Sequence, residues 1–219
     1  MTNEIGEDFV MVWRIIVCLL SGYAFGCFST GYVVGKINHV DIRKYGSGNA
    51  GTTNALRTLG WKAGVLTYLG DFLKAIIPII LFRNIIFKDV EYNQLLALYT
   101  GFGVVLGHCY PFWLGFKGGK GIAVTSGVMA AFDPLLIPFF IVIFAAVVII
   151  TKYVSLGSML MSLLFPVWIL ICYKGEVHMF ILALLYVATA IYMHRANIKR
   201  LINGTENKFG QKVKIEKNS

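Results

Sequence analysis

The chain has 219 residues, of which 57% are hydrophobic and only 14% charged, with net charge +9 and mean hydropathy +0.70. Soluble domains average about 25% charged residues, so an ordinary water-soluble globule, a disordered chain and a disulfide scaffold are excluded, and one integral membrane bundle remains. The basic excess points first to cytoplasmic loops and anionic headgroups and then to anionic substrates. It is too scattered for a nucleic-acid stripe.

The acidic start, Met-Thr-Asn-Glu-Ile-Gly-Glu-Asp, lacks the basic n-region of a cleavable signal, so the first apolar run is expected to be a retained span. Runs at 15–35, 92–116, 134–151, 153–173 and 177–194 are free of Asp, Glu, Lys and Arg. They approach or exceed the roughly 20 residues that cross a bilayer. The run 61–82 is interrupted only by Asp71 and Lys74, and 121–132 is short for a span.

With both included, seven helices put the N-terminus outside and 15 Lys and Arg inside: residues 36, 43, 44, 57, 62, 117, 120, 152, 195, 199, 200, 208, 212, 214 and 217. Only Arg14, Arg83, Lys88 and Lys174 fall outside. Omitting 121–132 would turn the basic tail outward, against the positive-inside rule. The expected fold is therefore one all-α domain over 1–219, with seven transmembrane helices and the C-terminus in the cytoplasm.

Gly22 and Gly26, Gly31 and Gly35, and Gly103 and Gly107 have the spacing of close helix contact in lipid. Cys18, Cys27, Cys109 and Cys172 lie in apolar runs without a CxxC and read as buried small hydrophobes. Asp71 and Lys74, i and i+3 within a span, are expected to pair or to face the bundle interior.

This topology gathers three polar segments on the cytoplasmic face. The first, 43–57, contains Gly46-Ser47-Gly48-Asn49-Ala50-Gly51-Thr52-Thr53-Asn54 and ends at Arg57. It matches GxGxxG but follows a membrane helix, not a strand, and it lacks the P-loop lysine. The shared physics survives: glycines allow backbone N–H groups to face an anion, and a following helix start adds its dipole. Arg57 could return over the site from the first helical turn. The second segment holds Lys117-Gly118-Gly119-Lys120-Gly121, where glycines admit a substrate to the backbone and lysines supply charge. His108 could border the site. In the third, 194–206, His194 and Asn197 share a helical face, and Glu206 is the only acid between Glu176 and Glu216. Arg195, Lys199 and Arg200 are expected to face elsewhere, toward lipid phosphates.

These segments resemble the bacterial acyl-phosphate:glycerol-3-phosphate acyltransferases, the PlsY family. The resemblance runs from 41–60 through Asp71-Phe72-Leu73-Lys74, Gly107-His108, 116–123 and Ser155-Leu156 to 194–206. Thr52 stands where the family usually has Ala, Ala75 where Gly is usual, and Gly157 where Ala is common.

The resemblance implies a multi-pass enzyme of the bacterial plasma membrane with its site on the cytoplasmic face. It implies transfer of a fatty acyl group from acyl phosphate to the 1-hydroxyl of glycerol 3-phosphate, giving lysophosphatidate and phosphate. No cofactor and no metal are expected, and the partners are the two substrates and membrane lipid, with the chain a monomer. Ser47, Arg57, His194 and Asn197 would act in catalysis. Gly46, Gly48, Asn49, Thr53, Asn54, Lys117, Gly118, Gly119, Lys120 and Gly121 would bind substrate, and Glu206 would brace the third segment. Either a substrate phosphate or His194 takes the hydroxyl proton. An anion transporter is the alternative from another class, but the halves show no repeat. A thioester-dependent acyltransferase is disfavoured because no His has Asp at the fifth following position.

Overall fold

The computed structural model describes residues 2–211, with side chains from Phe9 onward. The side chains of the acidic start, and Lys212, Lys214 and Lys217 of the charge count, lie outside the described residues. Among the described residues every regular element is helical: α1 (Thr2–Gly26), α2 (Thr30–Ile37), α3 (Thr52–Leu59), α4 (Trp61–Leu81), α5 (Asn93–Cys109), α6 (Ile122–Phe132), α7 (Leu136–Thr151), α8 (Val154–Cys172), α9 (Val177–Met193) and α10 (Arg195–Ile202).

Four segments are long and apolar enough to cross a membrane: Phe9–Ile37, Trp61–Ile86, Asn93–Leu114 and Val154–Cys172. A fifth is completed if α9 and α10, bent by 58°, count as one. The remaining apolar helices, α6 and α7, have 11 and 16 residues. At 1.5 Å per residue they rise about 16 and 24 Å, against a hydrocarbon core of about 30 Å.

Short α6 ends in a polar plug. Arg83 and Gln94 donate to the Phe132 carbonyl at 3.2 and 3.1 Å, and Asp133 accepts from Trp168 Nε1 at 2.8 Å and the Tyr173 hydroxyl at 3.2 Å. Backbone groups at the end of a short helix cannot be left bare in lipid, and these side chains supply the partners that a longer helix would not need.

The tightest helix pair, α1 with α5, follows from the glycine spacing. A Cβ on Gly22 or Gly26 would overlap the Thr100 or Val104 carbonyl, and one on Gly103 or Gly107 would overlap the Leu19 or Tyr23 carbonyl. In lipid this close approach replaces the hydrophobic drive with dispersion contact. The core beside it is built on Phe132, Phe165, Leu182 and Tyr186, with the Tyr186 hydroxyl satisfied by the Leu98 carbonyl at 2.7 Å. Asp71 and Lys74 form a buried ion pair at 3.0 Å, as their spacing predicts. Cys18, Cys27 and Cys109 are buried as expected, whereas Cys172, at the end of α8, is exposed.

Candidate active site

A cavity of about 460 Å³ lies where the three polar segments meet, between α3, α4, α6, α7, α8 and the α9–α10 bend. Ser47, Asn49, Thr53, Asn54, Arg57, Lys120, Gly121, His194, Asn197 and Glu206 line it. Gly46, Gly48, Lys117, Gly118 and Gly119 do not. His108, expected at most to border the site, lines it too, as do Asp71, Ser155 and Arg200, which were not among the expected site residues.

Gly46 and Gly48 adopt φ of +61° and +70°, a left-handed conformation that suits glycine. They turn the chain so that Asn54 can latch the loop. Asn54 Oδ1 accepts from the Ser47 N–H at 2.9 Å, and Nδ2 donates to the Ile42 and Tyr45 carbonyls at 2.8 and 3.1 Å. Asn54 is thus committed to the loop itself, and its expected role as a substrate donor gives way to a structural one. Helix α3 then starts at Gly51 without a side-chain cap. The first intrahelical acceptor takes the N–H groups of Asn54 and Ala55, so those of Thr52 and Thr53 are left at the cavity. The Thr52 hydroxyl is buried without a partner. Arg57 reaches the cavity from the last turn of α3, not the first.

The second segment departs from the expected nest. The Gly118 N–H is bonded to the Cys109 carbonyl at 3.1 Å and the Gly119 N–H to the His108 carbonyl at 3.1 Å. Neither is available to an anion. Both glycines are required by packing instead: a Cβ on Gly118 would overlap the His108 carbonyl, and one on Gly119 would overlap His108 Nε2. What this loop brings to the cavity is Lys120 and the uncapped start of α6 at Gly121, Ile122 and Ala123.

The third segment forms a chain of hydrogen bonds. Glu206 accepts from Asn197 Nδ2 at 2.6 Å, Ser155 Oγ at 2.9 Å and Arg200 Nε at 2.7 Å. Lys120 Nζ donates to Asn197 Oδ1. His194 terminates α9 and donates from Nδ1 to the Ala190 carbonyl at 2.8 Å, which leaves Nε2 as an acceptor. Arg200, expected to face lipid, turns inward because it is one further turn along the face that already carries His194 and Asn197.

Burial alone would push the Glu206 carboxyl up, but the hydrogen bonds from Asn197, Arg200 and Ser155 and the Arg200 charge hold it below the ordinary range. Burial pulls the Lys120 ammonium down to about 8; Glu206 opposes this, while Arg200 and Arg57 reinforce it. Burial likewise lowers Arg57, with Glu206 opposing and Arg200 adding. The cavity lining carries Arg57, Lys120 and Arg200 against Asp71 and Glu206, and Asp71 is already matched by Lys74 outside the lining. Glu206 matches one of the three cations, leaving a surplus of two positive charges. Leu56, Tyr68, Ile122, Ala123, Phe144 and Val148 make the rest of the wall apolar. Such a site can hold anionic headgroups at one end and a hydrocarbon chain at the other.

Residues 16–204 match the family model described as glycerol-3-phosphate acyltransferase. The glycerol-3-phosphate acyltransferase of Clostridioides difficile is 46% identical, over 92% of this chain and 98% of that protein. That of Alkaliphilus metalliredigens is 42% identical, over 91% and 98%. The crystal structure of PlsY (YgiH), an integral membrane glycerol 3-phosphate acyltransferase, in its glycerol 3-phosphate form superposes with a TM-score of 0.79 at 36% identity, over 91% of this chain and 95% of that one. Its lysophosphatidic acid form gives the same TM-score at 35% identity, over 90% and 96%. The chain belongs to the glycerol-3-phosphate acyltransferase family.

Proposed function

We infer that this chain transfers a fatty acyl group from acyl phosphate to the 1-hydroxyl of glycerol 3-phosphate, which opens phospholipid synthesis. The observation that carries the reading is one cavity joining two uncapped helix starts and a surplus of two positive charges to an apolar wall. Two phosphate-bearing substrates, one with a hydrocarbon tail, match that layout.

Ser47, Arg57 and the N–H groups of Thr52 and Thr53 hold the acyl phosphate, with Asn49 beside them. Lys120 and the start of α6 at Gly121 hold the phosphate of glycerol 3-phosphate. Gly46 and Gly48 shape the first loop, and Gly118 and Gly119 seat the second, beside Lys117. Glu206 fixes Asn197, and Asn197 fixes Lys120. The acceptor's hydroxyl oxygen attacks the acyl carbon, the new ester C–O bond forms, and the C–O bond to phosphate breaks. The phosphate leaves with that electron pair and ends up holding the hydroxyl proton. Nε2 of His194 accepts the hydroxyl's hydrogen bond, takes the proton as the oxygen attacks and passes it to the departing phosphate. The donor is already activated, so catalysis consists of positioning and of donors aimed at the developing charge.

The finer topology belongs to the same proposal: a single domain of seven spans, N-terminus outside, with the site at the cytoplasmic face of the bacterial plasma membrane, acting as a monomer. The 15-to-4 split of basic residues supports it. Purified protein should release phosphate from acyl phosphate only when glycerol 3-phosphate is present; release that ignores the acceptor would defeat the reading. In a background with all four cysteines replaced, external labelling of intact cells should reach a cysteine at Lys88 but not at Lys120 or Lys208. Labelling at Lys208 would reverse the orientation.

A further inference from the structure

Two histidines line the cavity, and the structure wires them in opposite senses. His194 Nδ1 faces a carbonyl, which only accepts, so its proton is on Nδ1. His108 Nδ1 lies 2.9 Å from Lys74 Nζ, which only donates, so the ring proton is on Nε2. Lys74 is itself fixed, donating to the Phe28 carbonyl at 2.5 Å and pairing with Asp71 at 3.0 Å. Asp71 lies 3.6 Å from His108 Nδ1, but the lysine occupies that nitrogen. All three side chains are buried, at 1%, 7% and 3% exposure for Asp71, Lys74 and His108. A buried ion pair is weak evidence for stability by itself, and in a membrane span its use is the more informative question.

His108 also sits at the seam of the cavity. Its Nε2 edge faces Gly119, next to Lys120 at the cationic end, and its partner Asp71 is one turn from Tyr68 on the apolar wall. A reacting acyl carbonyl joins hydrocarbon to phosphate, so it must lie at that seam. We propose that His108 is a catalytic residue of this reaction: a neutral imidazole that donates from Nε2 to the acyl carbonyl oxygen as negative charge develops on it. Lys74 and Asp71 are its positioning residues, holding the donor tautomer. No proton changes hands in this contact. A neutral donor whose other ring nitrogen is held by Lys74 gains most when the oxygen becomes an oxyanion. The proposal rests on the acyl-transfer reading above.

The test has three parts. Wild-type turnover of acyl phosphate with glycerol 3-phosphate checks the reading itself. Given that turnover, His108→Ala should lower kcat about a hundredfold, as loss of one oxyanion donor does. KM for glycerol 3-phosphate should stay within about threefold, because the contact forms fully only in the transition state. His108→Gln, which can accept from Lys74 and still donate, should recover about tenfold of that loss, and Lys74→Met should cost about tenfold through the lost tautomer. A structural role alone would move thermal stability and KM without this kcat pattern or the rescue by Gln. A folded His108→Ala variant with kcat within about threefold of wild type would overturn the proposal.

Should the variants not fold, 15N-histidine NMR of the wild-type protein decides. Nε2 of His108 should carry the proton at neutral pH and should shift when a non-hydrolysable acyl phosphonate is added. A proton on Nδ1, or no response of Nε2 to the phosphonate, would overturn the proposal.

Discussion

In the loop at 46–54 the latch is local: Asn54, seven residues beyond Ser47, holds three backbone groups of the stretch 42–47 just before it. In 115–121 the latch is external: the N–H groups of Gly118 and Gly119 are bonded to carbonyls at the end of α5. Both segments are rich in glycine, but the N–H groups of Gly48, Gly118 and Gly119 are all taken by backbone carbonyls. The unbonded donors come immediately afterwards, at Thr52 and Thr53 and at Ile122 and Ala123, where helices begin without caps. Glycine here lets the chain turn or press close enough for a helix start to be aimed at the cavity.

The sharpest way to probe the first loop is through the cation it presents. Arg57→Ala should reduce kcat/KM about a thousandfold in a phosphate-release assay, the scale of truncating one partner of a desolvated charge contact. Arg57→Lys should restore no more than about a tenth of wild-type activity if the guanidinium grips phosphate through two N–H bonds. Equal rescue by lysine would make Arg57 a point charge and nothing more.

The local latch is tested by Asn54→Ala, which orphans two carbonyls and one N–H. Thermal unfolding in detergent should show a loss of about 2–3 kcal/mol. An Asn54 variant with unchanged unfolding would mean that the loop holds itself.

For the external latch, the two glycines should differ. A methyl on Gly118 meets a backbone oxygen that cannot swing away, whereas one on Gly119 meets the His108 side chain. Gly118→Ala should therefore raise KM for glycerol 3-phosphate more, by about tenfold, through displacement of Lys120. Equal, unchanged KM values would reduce the loop to a linker.

The smallest effect concerns pH. Lys120 is charged below about 8 and loses its proton above it, so kcat/KM should fall as pH rises through about 8. Lys120→Arg should remove that alkaline limb. A limb that persists in the arginine variant belongs to another group.

Much of the site was legible because polar residues are scarce in this chain, so three polar segments on one face stood out. The i, i+3 spacing exposed the Asp71–Lys74 pair and the His194–Asn197 face, and the same periodicity run one step further reaches Arg200. Other features were not local enough to read. The acceptors for Gly118 and Gly119 lie about ten residues upstream and are met only because the chain reverses through 110–117. His108 joins Lys74 from a different helix, a contact that spacing along one helix does not encode. The polar plug that ends the short α6 was not readable, since it draws on Arg83, Gln94, Trp168 and Tyr173 from three other parts of the chain.

The glycine faces of α1 and α5 have a consequence beyond adhesion. Side chains can repack when helices slide, but here main chain rests on main chain, with Gly22, Gly26, Gly103 and Gly107 as the teeth. Such a contact has discrete settings: a slip comes as a ratchet of a whole turn, about 5.4 Å, and not as a gradual creep. His108 follows Gly107 directly and the substrate loop folds back onto that same helix end. Depth in the bilayer is therefore indexed, not adjustable, and the edge of the cavity that carries His108 inherits its height from a joint between two helix backbones.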